Sequence, residues 1–409
     1  MAERFSTDKL NAIVKELGSF ARLVGSDGEA KGINYCKRIF KEIDLELKED
    51  EFECVKGWVG HISQGIFALA SSLIASMVIL LITAPLANIG VIAAVLVFIL
   101  ILIPGIAGSK GYMKVGKKYT TKNLYASILP KKGVPKRYIL LTGHHDTKSH
   151  TMSTIQRSAA YLLSVTGVVL LLLLVLTDLV LDFIRADVPQ IITTLGIVFG
   201  AIGLCGTIPL SLNILGNKSP GAIDNASSVA VIYEISRLIK ELGGLENTEV
   251  VVAIFGAEEL GMWGSKAFLR KHLQEYPVDK TININIDMVG FKGAPVEIME
   301  YAGLPKKKAI SPFLSGLAFN TAKELEIELK GFWMPIGGGT DGFVIRDLGY
   351  DGCEFVVMEA AKQTHHSQDN YNKWDGNIGV KNCEIIYGIM DKLDAFGIEK
   401  LKLSQKGNY

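Results

Sequence analysis

Residues 57–109 read GWVGHISQGIFALASSLIASMVILLITAPLANIGVIAAVLVFILILIPGIAGS and contain no Asp, Glu, Lys or Arg. A helix needs about 20 apolar residues to cross the hydrocarbon core of a bilayer, so this stretch is long enough for two crossings. Pro85 and Asn88 stand near its middle, where a turn between two helices would fall. The stretch therefore predicts a transmembrane helical hairpin inside a chain of 409 residues.

A second apolar region, residues 158–217, is interrupted once. Residues 158–177 and 188–217 carry no charged side chain, whereas four charges lie between them at 178–187. This pattern predicts a second transmembrane hairpin with a charged tip. The alternative is a buried helical hairpin in a large soluble core, but core helices seldom contain such long runs without an ionisable group. Only 21% of all residues are charged, against about 25% in typical soluble domains, which also favours the membrane.

The two hairpins determine how the rest of the chain is arranged. Because a hairpin returns the chain to the side of the bilayer that it left, the remaining sequence is predicted to form a single domain. That domain comprises residues 1–56, 110–157 and 218–409. Lys56, Lys110, Arg157 and Lys218 flank the hairpins on the domain side, and basic residues favour the cytoplasm. We therefore expect an integral membrane protein with four spans and a cytoplasmic domain, and its net charge of +1 argues against nucleic-acid binding.

Outside the hairpins, short apolar strands alternate with amphipathic helices. The predicted strands are residues 45–54, 123–129, 138–141, 249–255, 282–286 and 353–358, and the predicted helices are 28–43, 227–242, 311–327 and 379–396. Such alternation is typical of a parallel sheet covered by helices on both faces. The predicted fold class is therefore α/β, with a mostly parallel mixed sheet sandwiched by helices and interrupted by two inserted transmembrane hairpins.

Polar clusters follow several predicted strands or begin a helix. They are residues 143–146, 221–227, 257–259, 287–290 and 365–369. Singly each is weak, because an Asp after a strand is often a helix cap, adjacent glutamates are usually solvated, and a histidine pair is commonly surface or core filler. In an open α/β sheet, however, the carboxyl ends of the strands share one edge. Carboxylates gathered there repel one another unless cations neutralise them, and two divalent ions about 3.5–4 Å apart would use the whole set.

In their order along the chain, these clusters resemble the motifs of the co-catalytic di-zinc aminopeptidase family. This family includes leucyl-type aminopeptidases, glutamate carboxypeptidases and glutaminyl cyclases. Its patterns HxD, GAxDNASG, EExGLxGS, NxDMxG and HTxxD correspond to residues 144–146, 221–228, 258–265, 285–290 and 365–369. The resemblance covers essentially all of the sequence outside the hairpins, and five motifs in order are far more specific than any one of them.

The resemblance implies a pair of Zn²⁺ ions, with Co²⁺ or Mn²⁺ as alternatives. His144 and Asp287 would hold one ion, and Glu259 and His365 would hold the other. Asp224 would bridge both ions. Imidazole and carboxylate groups are the ligands that such ions take in proteins.

Further roles follow from the same resemblance. Glu258 would be the general base, and Asp146 would orient the ligating imidazole two residues before it. Asp369 would orient the second site in the same way. His145 and His366 occupy variable positions and are predicted not to be ligands.

The sequence also departs from the family pattern. Residues 337–342, GGGTDG, stand where many relatives carry Ser-Asp-His, so the usual His is absent. Thr364 stands where glutamate carboxypeptidases have a Tyr. These departures affect substrate contacts and leave the transition-state oxygen donor unassigned, but they do not affect the metal ligands.

Together these features predict a membrane-anchored metallopeptidase, an aminopeptidase that removes N-terminal residues from peptide substrates. The alternative is a metal-dependent amide hydrolase that acts on acylated or membrane-derived apolar substrates. A non-enzymatic receptor on a peptidase fold is disfavoured because every ligand and the base are retained, and a glutaminyl cyclase because both halves of a two-metal set are present. Gly196 and Gly200 form a GxxxG spacing, which would serve packing within the chain or between protomers of a homo-oligomer.

Overall fold

A computed structural model describes residues 4–56, 60–96, 116–303, 306–335 and 339–398. The chain divides into two compact units. The first, called the sheet unit, comprises Met1–Val55, Lys118–Ser149 and Gly216–Tyr409. The second, called the apolar unit, comprises Lys56–Lys117 and His150–Leu215.

The main helices and strands alternate along the chain. The helices are α1 (Thr7–Leu17), α2 (Asp27–Lys41), α3 (His61–Thr83), α4 (Thr154–Phe183), α5 (Gln190–Ser211), α6 (Ser227–Glu241), α7 (Trp263–His272), α8 (Pro312–Glu324), α9 (Asp341–Asp347) and α10 (Gly376–Phe396). The strands are β1 (Lys48–Val55), β2 (Lys118–Ile128), β3 (Arg137–His144), β4 (Thr248–Phe255), β5 (Thr281–Ile286), β6 (Val296–Ala302), β7 (Lys308–Ala309), β8 (Leu329–Met334) and β9 (Asp351–Phe355). Every strand and helix predicted for the sheet unit overlaps one of these elements.

The strands form one nine-stranded sheet in the order β1-β2-β4-β3-β5-β9-β6-β8, with β7 paired to β6. Strands β4, β3, β5 and β9 are parallel neighbours, and β8 is parallel to β6. The pairs β1–β2, β2–β4, β9–β6 and β6–β7 are antiparallel. The sheet is therefore mixed, and the predicted parallel arrangement is confined largely to its centre. The direction of the outer strands depends on long connections, which carry no local sequence signal.

Side chains of the central strands alternate between two hydrophobic cores. In β3, Ile139 and Leu141 join the larger core, which contains residues of α1, α2, α6, α8 and α10. Leu140, between them, joins the smaller core with residues of α7 and α9. Because successive side chains of a strand point to opposite faces, the two cores lie on opposite faces of the sheet, and helices cover both. The carboxyl ends of the parallel strands then meet at one edge, where polar residues can collect.

Among its described residues, the apolar unit contains three helices that are long and apolar enough to cross a membrane: α3, α4 and α5. A shorter apolar helix, Pro85–Leu96, follows α3. This helix overlaps the second span predicted for the hairpin at 57–109, and the rest of that span, residues 97–109, lies outside the described residues. Helix α4 continues to Phe183, through part of the predicted tip at 178–187, because a charged residue can end an apolar run without ending a helix.

Glycines of α5 face other helices of the same unit. A Cβ atom on Gly200 would lie 2.3 Å from Val78 Cγ2 of α3, and one on Gly206 would lie 2.4 Å from the Ala160 carbonyl oxygen of α4. Such small residues let helix backbones approach closely. Of the two uses predicted for the glycine spacing, these contacts favour packing within the chain. The homo-oligomer stays a prediction.

Candidate metal centre

The five predicted ligands come from separate elements of the sheet unit. His144 is the last residue of β3, and Asp287 directly follows β5. Glu259 follows β4, and His365 lies in the connection after β9. Asp224 lies in the turn that precedes α6. Because β3, β4, β5 and β9 are parallel neighbours, their carboxyl ends bring these side chains to one edge of the sheet.

The structure brings the five residues together as two overlapping groups that could each hold a metal ion. One group is His144, Asp224 and Asp287, and the other is Asp224, Glu259 and His365. Within each group the potential ligand atoms all lie within 4.8 Å of one another. Asp224 is shared by both groups.

The two oxygens of Asp224 are directed to different histidines. Its Oδ1 lies 3.4 Å from His144 Nε2, and its Oδ2 lies 3.1 Å from His365 Nε2. His144 Nε2 also lies 3.5 Å from Asp287 Oδ1, and His365 Nε2 lies 2.9 Å from Glu259 Oε2. This geometry allows one carboxylate to contact two sites at once.

Two of the buried atoms in the first group make no hydrogen bond within the described part of the chain. They are His144 Nε2 and Asp287 Oδ1. Buried polar atoms are nearly always hydrogen-bonded or bound to an ion or water. An imidazole nitrogen and carboxylate oxygens at this spacing are suitable ligands for zinc. The residues present therefore fit the ion that the sequence pattern implies.

Asp146 holds the turn that carries the two glutamates. Its Oδ1 accepts a hydrogen bond from the Glu258 main-chain N–H at 3.1 Å, and its Oδ2 accepts one from the Glu259 N–H at 3.2 Å. His144 Nδ1 lies 3.1 Å from the main-chain oxygen of Asp146 and 3.6 Å from its Oδ1. Asp146 thus lies beside the imidazole that it is predicted to orient, and it also accepts hydrogen bonds from the backbone of both glutamates, which the sequence did not indicate.

Asp369 makes similar contacts with the backbone at Asp224, the residue that both groups share. Its Oδ1 accepts from the Ile223 N–H at 2.7 Å, and its Oδ2 accepts from the Asp224 N–H at 3.1 Å. The sequence led us to expect that Asp369 would orient the second site. Its contacts are with the backbone of Ile223 and of the shared Asp224, and its orienting role stays a prediction.

Glu258 lies beside the first group, with its Oε2 3.7 Å from His144 Nε2. Burial raises the pKa of Glu258 well above its usual value, and the negative charges of Asp341 and Glu259 add to this effect. Burial by itself would lower the pKa of His144, but the charge of Glu258 and contacts with three aspartates outweigh it, so the pKa of His144 is raised. A carboxyl group placed within reach of a reacting group can act as a general acid or base.

Two further residues at the centre were not identified from the sequence. Lys148 Nζ lies 2.8 Å from Glu259 Oε2 and 2.9 Å from the Glu259 main-chain oxygen. Asp341, the first residue of α9, is 1% exposed, and burial raises its pKa to about 8. Lys148 follows the HxD motif by two residues, and Asp341 lies in the segment where the missing His drew attention. The positions of Lys148 and Asp341 next to these motifs could have indicated that both residues lie at the site.

The two histidines predicted not to be ligands lie outside both groups. His145 is fully buried, and its Nε2 lies 3.0 Å from the main-chain oxygen of Lys122. His366 is half-buried and follows His365 directly. His145 and His366 are therefore next to candidate ligands in sequence but belong to neither group of candidate ligands.

The structure combines an α/β sheet between helices with two overlapping groups of acidic and imidazole side chains at one edge of that sheet. This combination is typical of zinc-dependent hydrolases, the class to which zinc aminopeptidases belong. Residues 208–387 match the sequence model described as Peptidase family M28. The match covers less than half of the chain, and it includes Asp224, Glu258, Glu259, Asp287 and His365.

Two curated relatives resemble part of the chain. It is 41% identical over 139 residues to Aminopeptidase YwaD of Bacillus subtilis (strain 168), and this match covers 34% of the chain and 29% of that protein. It is 29% identical over 150 residues to Aminopeptidase NAALADL1 of Rattus norvegicus, which covers 33% of the chain and 19% of that protein. The matched segments thus span less than a third of either relative.

Solved structures share the fold at low sequence identity. The aminopeptidase from Aneurinibacillus sp. strain AM-1 superposes with a TM-score of 0.56 at 16% identity and covers 96% of this chain and 94% of its own. The zinc aminopeptidase BSAP from Bacillus subtilis gives 0.55 at 14% identity, covering 94% and 95%. A glutaminyl cyclase from Porphyromonas gingivalis gives 0.53 at 16%, covering 96% and 99%. These likenesses show the fold.

Proposed function

We propose that this protein is a membrane-anchored aminopeptidase that uses two zinc ions to remove N-terminal residues from peptides. The observation that carries the proposal is the position of Asp224, which has one oxygen near His144 and the other near His365. A carboxylate shared in this way is the bridge that a pair of ions would need. His144 and Asp287 would complete one site, and Glu259 and His365 the other.

The balance of ionisable groups around the centre supports the binding of cations. The buried carboxyl groups here belong to Asp146, Asp224, Glu258, Glu259, Asp287, Asp341 and Asp369. Lys148, Lys266 and Arg22 supply positive charge nearby, but they are fewer than the acidic groups. Burying uncompensated charges is costly, so the excess favours binding of cations.

The proposed mechanism assigns the proton transfers to Glu258. When bound, a pair of zinc ions would lower the pKa of a water molecule toward neutrality and polarise the peptide carbonyl. Glu258 would take the proton of the attacking water and return it to the leaving amine. Asp146 would hold the backbone of Glu258 in place during both transfers.

We also propose that the apolar unit anchors the protein in a bilayer through two hairpins, residues 57–109 and 158–217. Three helices with the length and composition of membrane spans support this anchoring. Two parts of this proposal rest on the sequence alone. They are the second span of the hairpin at 57–109, and the cytoplasmic position of the domain formed by residues 1–56, 110–157 and 218–409. Tagging the loop at 184–189 and the N-terminus for accessibility in intact and permeabilised cells would test the orientation, since the two tags should behave oppositely.

A second candidate function is hydrolysis of amides in acylated or membrane-derived substrates. The three apolar helices motivate it, because a bilayer would bring such substrates near the chain. Purified protein should be analysed for metal and offered matched peptides with free and N-acylated termini. Cleavage of free peptides alone supports the aminopeptidase, cleavage of acylated compounds alone supports the second candidate, and absence of a bound or stimulating divalent ion contradicts both.

Adjacent substitutions at the glutamate pair test the assigned roles. Glu258→Gln should keep the wild-type zinc content and lose about 10²–10⁴-fold in kcat, because it removes only proton transfer. Glu259→Gln should lower the zinc content, because Glu259 belongs to the second group of candidate ligands. Hydrolysis by Glu258→Gln at the wild-type rate would exclude Glu258 as the base.

A further inference from the structure

Arg22 is a fully buried arginine that lies behind the candidate metal centre. Its guanidinium group donates hydrogen bonds to main-chain carbonyl oxygens. Nε donates to His145 at 2.7 Å, Nη1 to Pro220 at 2.6 Å, and Nη2 to Gly221 at 3.0 Å. Nη1 also donates to carbonyls of Leu17 and Phe20. The side chain thus links three parts of the chain that are remote in sequence.

Two of these parts carry candidate metal ligands. His145 lies between His144 and Asp146, while Pro220 and Gly221 lead into the turn that contains Asp224. His144 and Asp224 belong to the same group of candidate ligands. One guanidinium group is therefore bonded to both backbone segments whose separation sets the distance between those two ligands.

The main chain around Arg22 reinforces the same connection. The Arg22 N–H donates to Thr147 Oγ1 at 2.7 Å, and the Arg22 carbonyl accepts from the Thr147 N–H at 3.2 Å. Thr147 Oγ1 in turn donates to the Ser219 carbonyl oxygen at 3.2 Å. These hydrogen bonds join the two ligand-bearing segments a second time, through a threonine.

The surroundings of Arg22 are shaped to admit its side chain. A Cβ atom on Gly32 of α2 would lie 2.8 Å from Arg22 Cδ. A Cβ atom on Gly221, which has a φ of +60°, would lie 2.2 Å from Thr147 Cγ2 and 3.1 Å from Arg22 Nη2. Glycine at both positions leaves the space that the arginine and threonine occupy. Burial lowers the pKa of Arg22 to about 10, which reflects the cost of placing a cation there.

We propose that Arg22 is a positioning residue that fixes the separation of His144 and Asp224 and thereby the geometry of the two-metal site. This inference rests on the proposed two-ion centre. Arginine suits the task because its planar group presents five N–H donors in a rigid arrangement, whereas lysine offers a single flexible ammonium group. The role depends on the directions of these donors and not on positive charge alone.

The test compares Arg22→Lys, Arg22→Met and a matched control in the full-length protein purified in detergent. The control is Arg137→Lys, because Arg137 also donates to main-chain oxygens, of Leu393 at 2.5 Å and Asp394 at 2.7 Å, from the other end of the strand that ends at His144. Zinc affinity is measured by competition with a chromogenic chelator. The spacing of the two metals is followed by spin coupling in the EPR spectrum of protein loaded with Co²⁺.

Both Arg22 variants should bind at least one of the two ions about 10–100-fold more weakly and lose the spin coupling, as expected when a group that orients metal ligands is removed. Arg137→Lys should match the wild type in both measurements. If Arg22→Met does not fold, Thr147→Val, which removes only the hydroxyl contact with Ser219 and Arg22, should show the same loss in weaker form.

Three results have distinct meanings. Wild-type affinity and coupling in Arg22→Lys would overturn the inference, because charge alone would then suffice. Equal losses in Arg22→Lys and Arg137→Lys would also overturn it, since any arginine that donates to main-chain oxygens would then have the same effect. A wild-type protein that binds fewer than two ions would instead contradict the proposed function, and it would do so before any variant is compared.

Discussion

Replacing Asp146 by Asn would test whether the backbone of the glutamate pair must be held in place. In the wild type, each oxygen of the Asp146 carboxylate accepts one N–H, from Glu258 at 3.1 Å and from Glu259 at 3.2 Å. Asparagine has nearly the same shape but only one acceptor oxygen. Its amide nitrogen would face one of the two N–H groups, so one hydrogen bond is lost and two donors oppose each other.

The expected loss follows from these two contacts. A hydrogen bond to a charged acceptor contributes about 1.5–3 kcal/mol, and a buried donor without a partner costs a similar amount. Loss of one such bond and weakening of the other should therefore cost about 2–3 kcal/mol. Since about 1.4 kcal/mol corresponds to a factor of ten, we expect kcat/KM or zinc affinity to fall by about 30–100-fold, within the range typical of groups that orient metal ligands.

The assay pairs zinc competition with peptide hydrolysis, and Asp375→Asn serves as the control. Asp375 makes the same kind of contact, because its carboxylate accepts from the Asn377 N–H at 2.9 Å, but at the exposed start of α10. The control should change neither zinc affinity nor kcat/KM. A fall of less than threefold in both quantities for Asp146→Asn would refute the reasoning, because the glutamates would then keep their positions without the carboxylate.

Three other predictions concern metal, pH and packing. Removal of zinc should lower the melting temperature, since ligand at 100 times its Kd stabilises a protein by about 2.7 kcal/mol; equal melting with and without chelator would contradict this. Burial, with a contribution from Glu359, raises the pKa of Glu297 from 4.5 to about 7, so the folded state keeps a proton that the unfolded chain releases. The contribution of the Glu297 carboxyl group to stability is therefore present at low pH and is lost as the pH rises from 4.5 to about 7. Glu297→Gln should flatten this decline in melting temperature. Gly206→Leu should destabilise the apolar unit because its side chain would collide with Ala160 and Ser164; unchanged melting in detergent would argue against this packing.

The sequence was most informative where the signal is local. Strand β3 could be predicted because its alternating apolar residues supply both cores, and His144 could be placed because it ends that strand. The candidate ligands are recognisable for the same reason, since each lies in a short motif next to a strand or helix. Parallel pairing of neighbouring strands then brings distant motifs to one edge without further information.

The groups that hold these ligands in place could not be predicted in the same way. Asp146 contacts residues 258 and 259, and Arg22 contacts residues 220 and 221, across long stretches of sequence. Nothing in the residues next to Arg22 distinguishes a buried arginine from an exposed one. Strands β6, β7 and β8 were missed because they are short or partly exposed, so their apolar pattern is weak.

The position of the second insertion gives these contacts a wider importance. The chain leaves the sheet unit after Ser149, soon after the first candidate ligand, and returns at Gly216, shortly before Asp224. A long insertion between two residues of one site would leave their separation poorly determined, because the connecting chain does not restrain it. Hydrogen bonds at the base of the insertion supply that restraint: Ser149 Oγ accepts from the Lys218 N–H at 3.0 Å, and Thr147 Oγ1 donates to the Ser219 carbonyl at 3.2 Å. The candidate metal centre of this chain can therefore accept a large apolar insertion at this point, because its candidate ligands are positioned by contacts within the sheet unit and not by the length of chain between them.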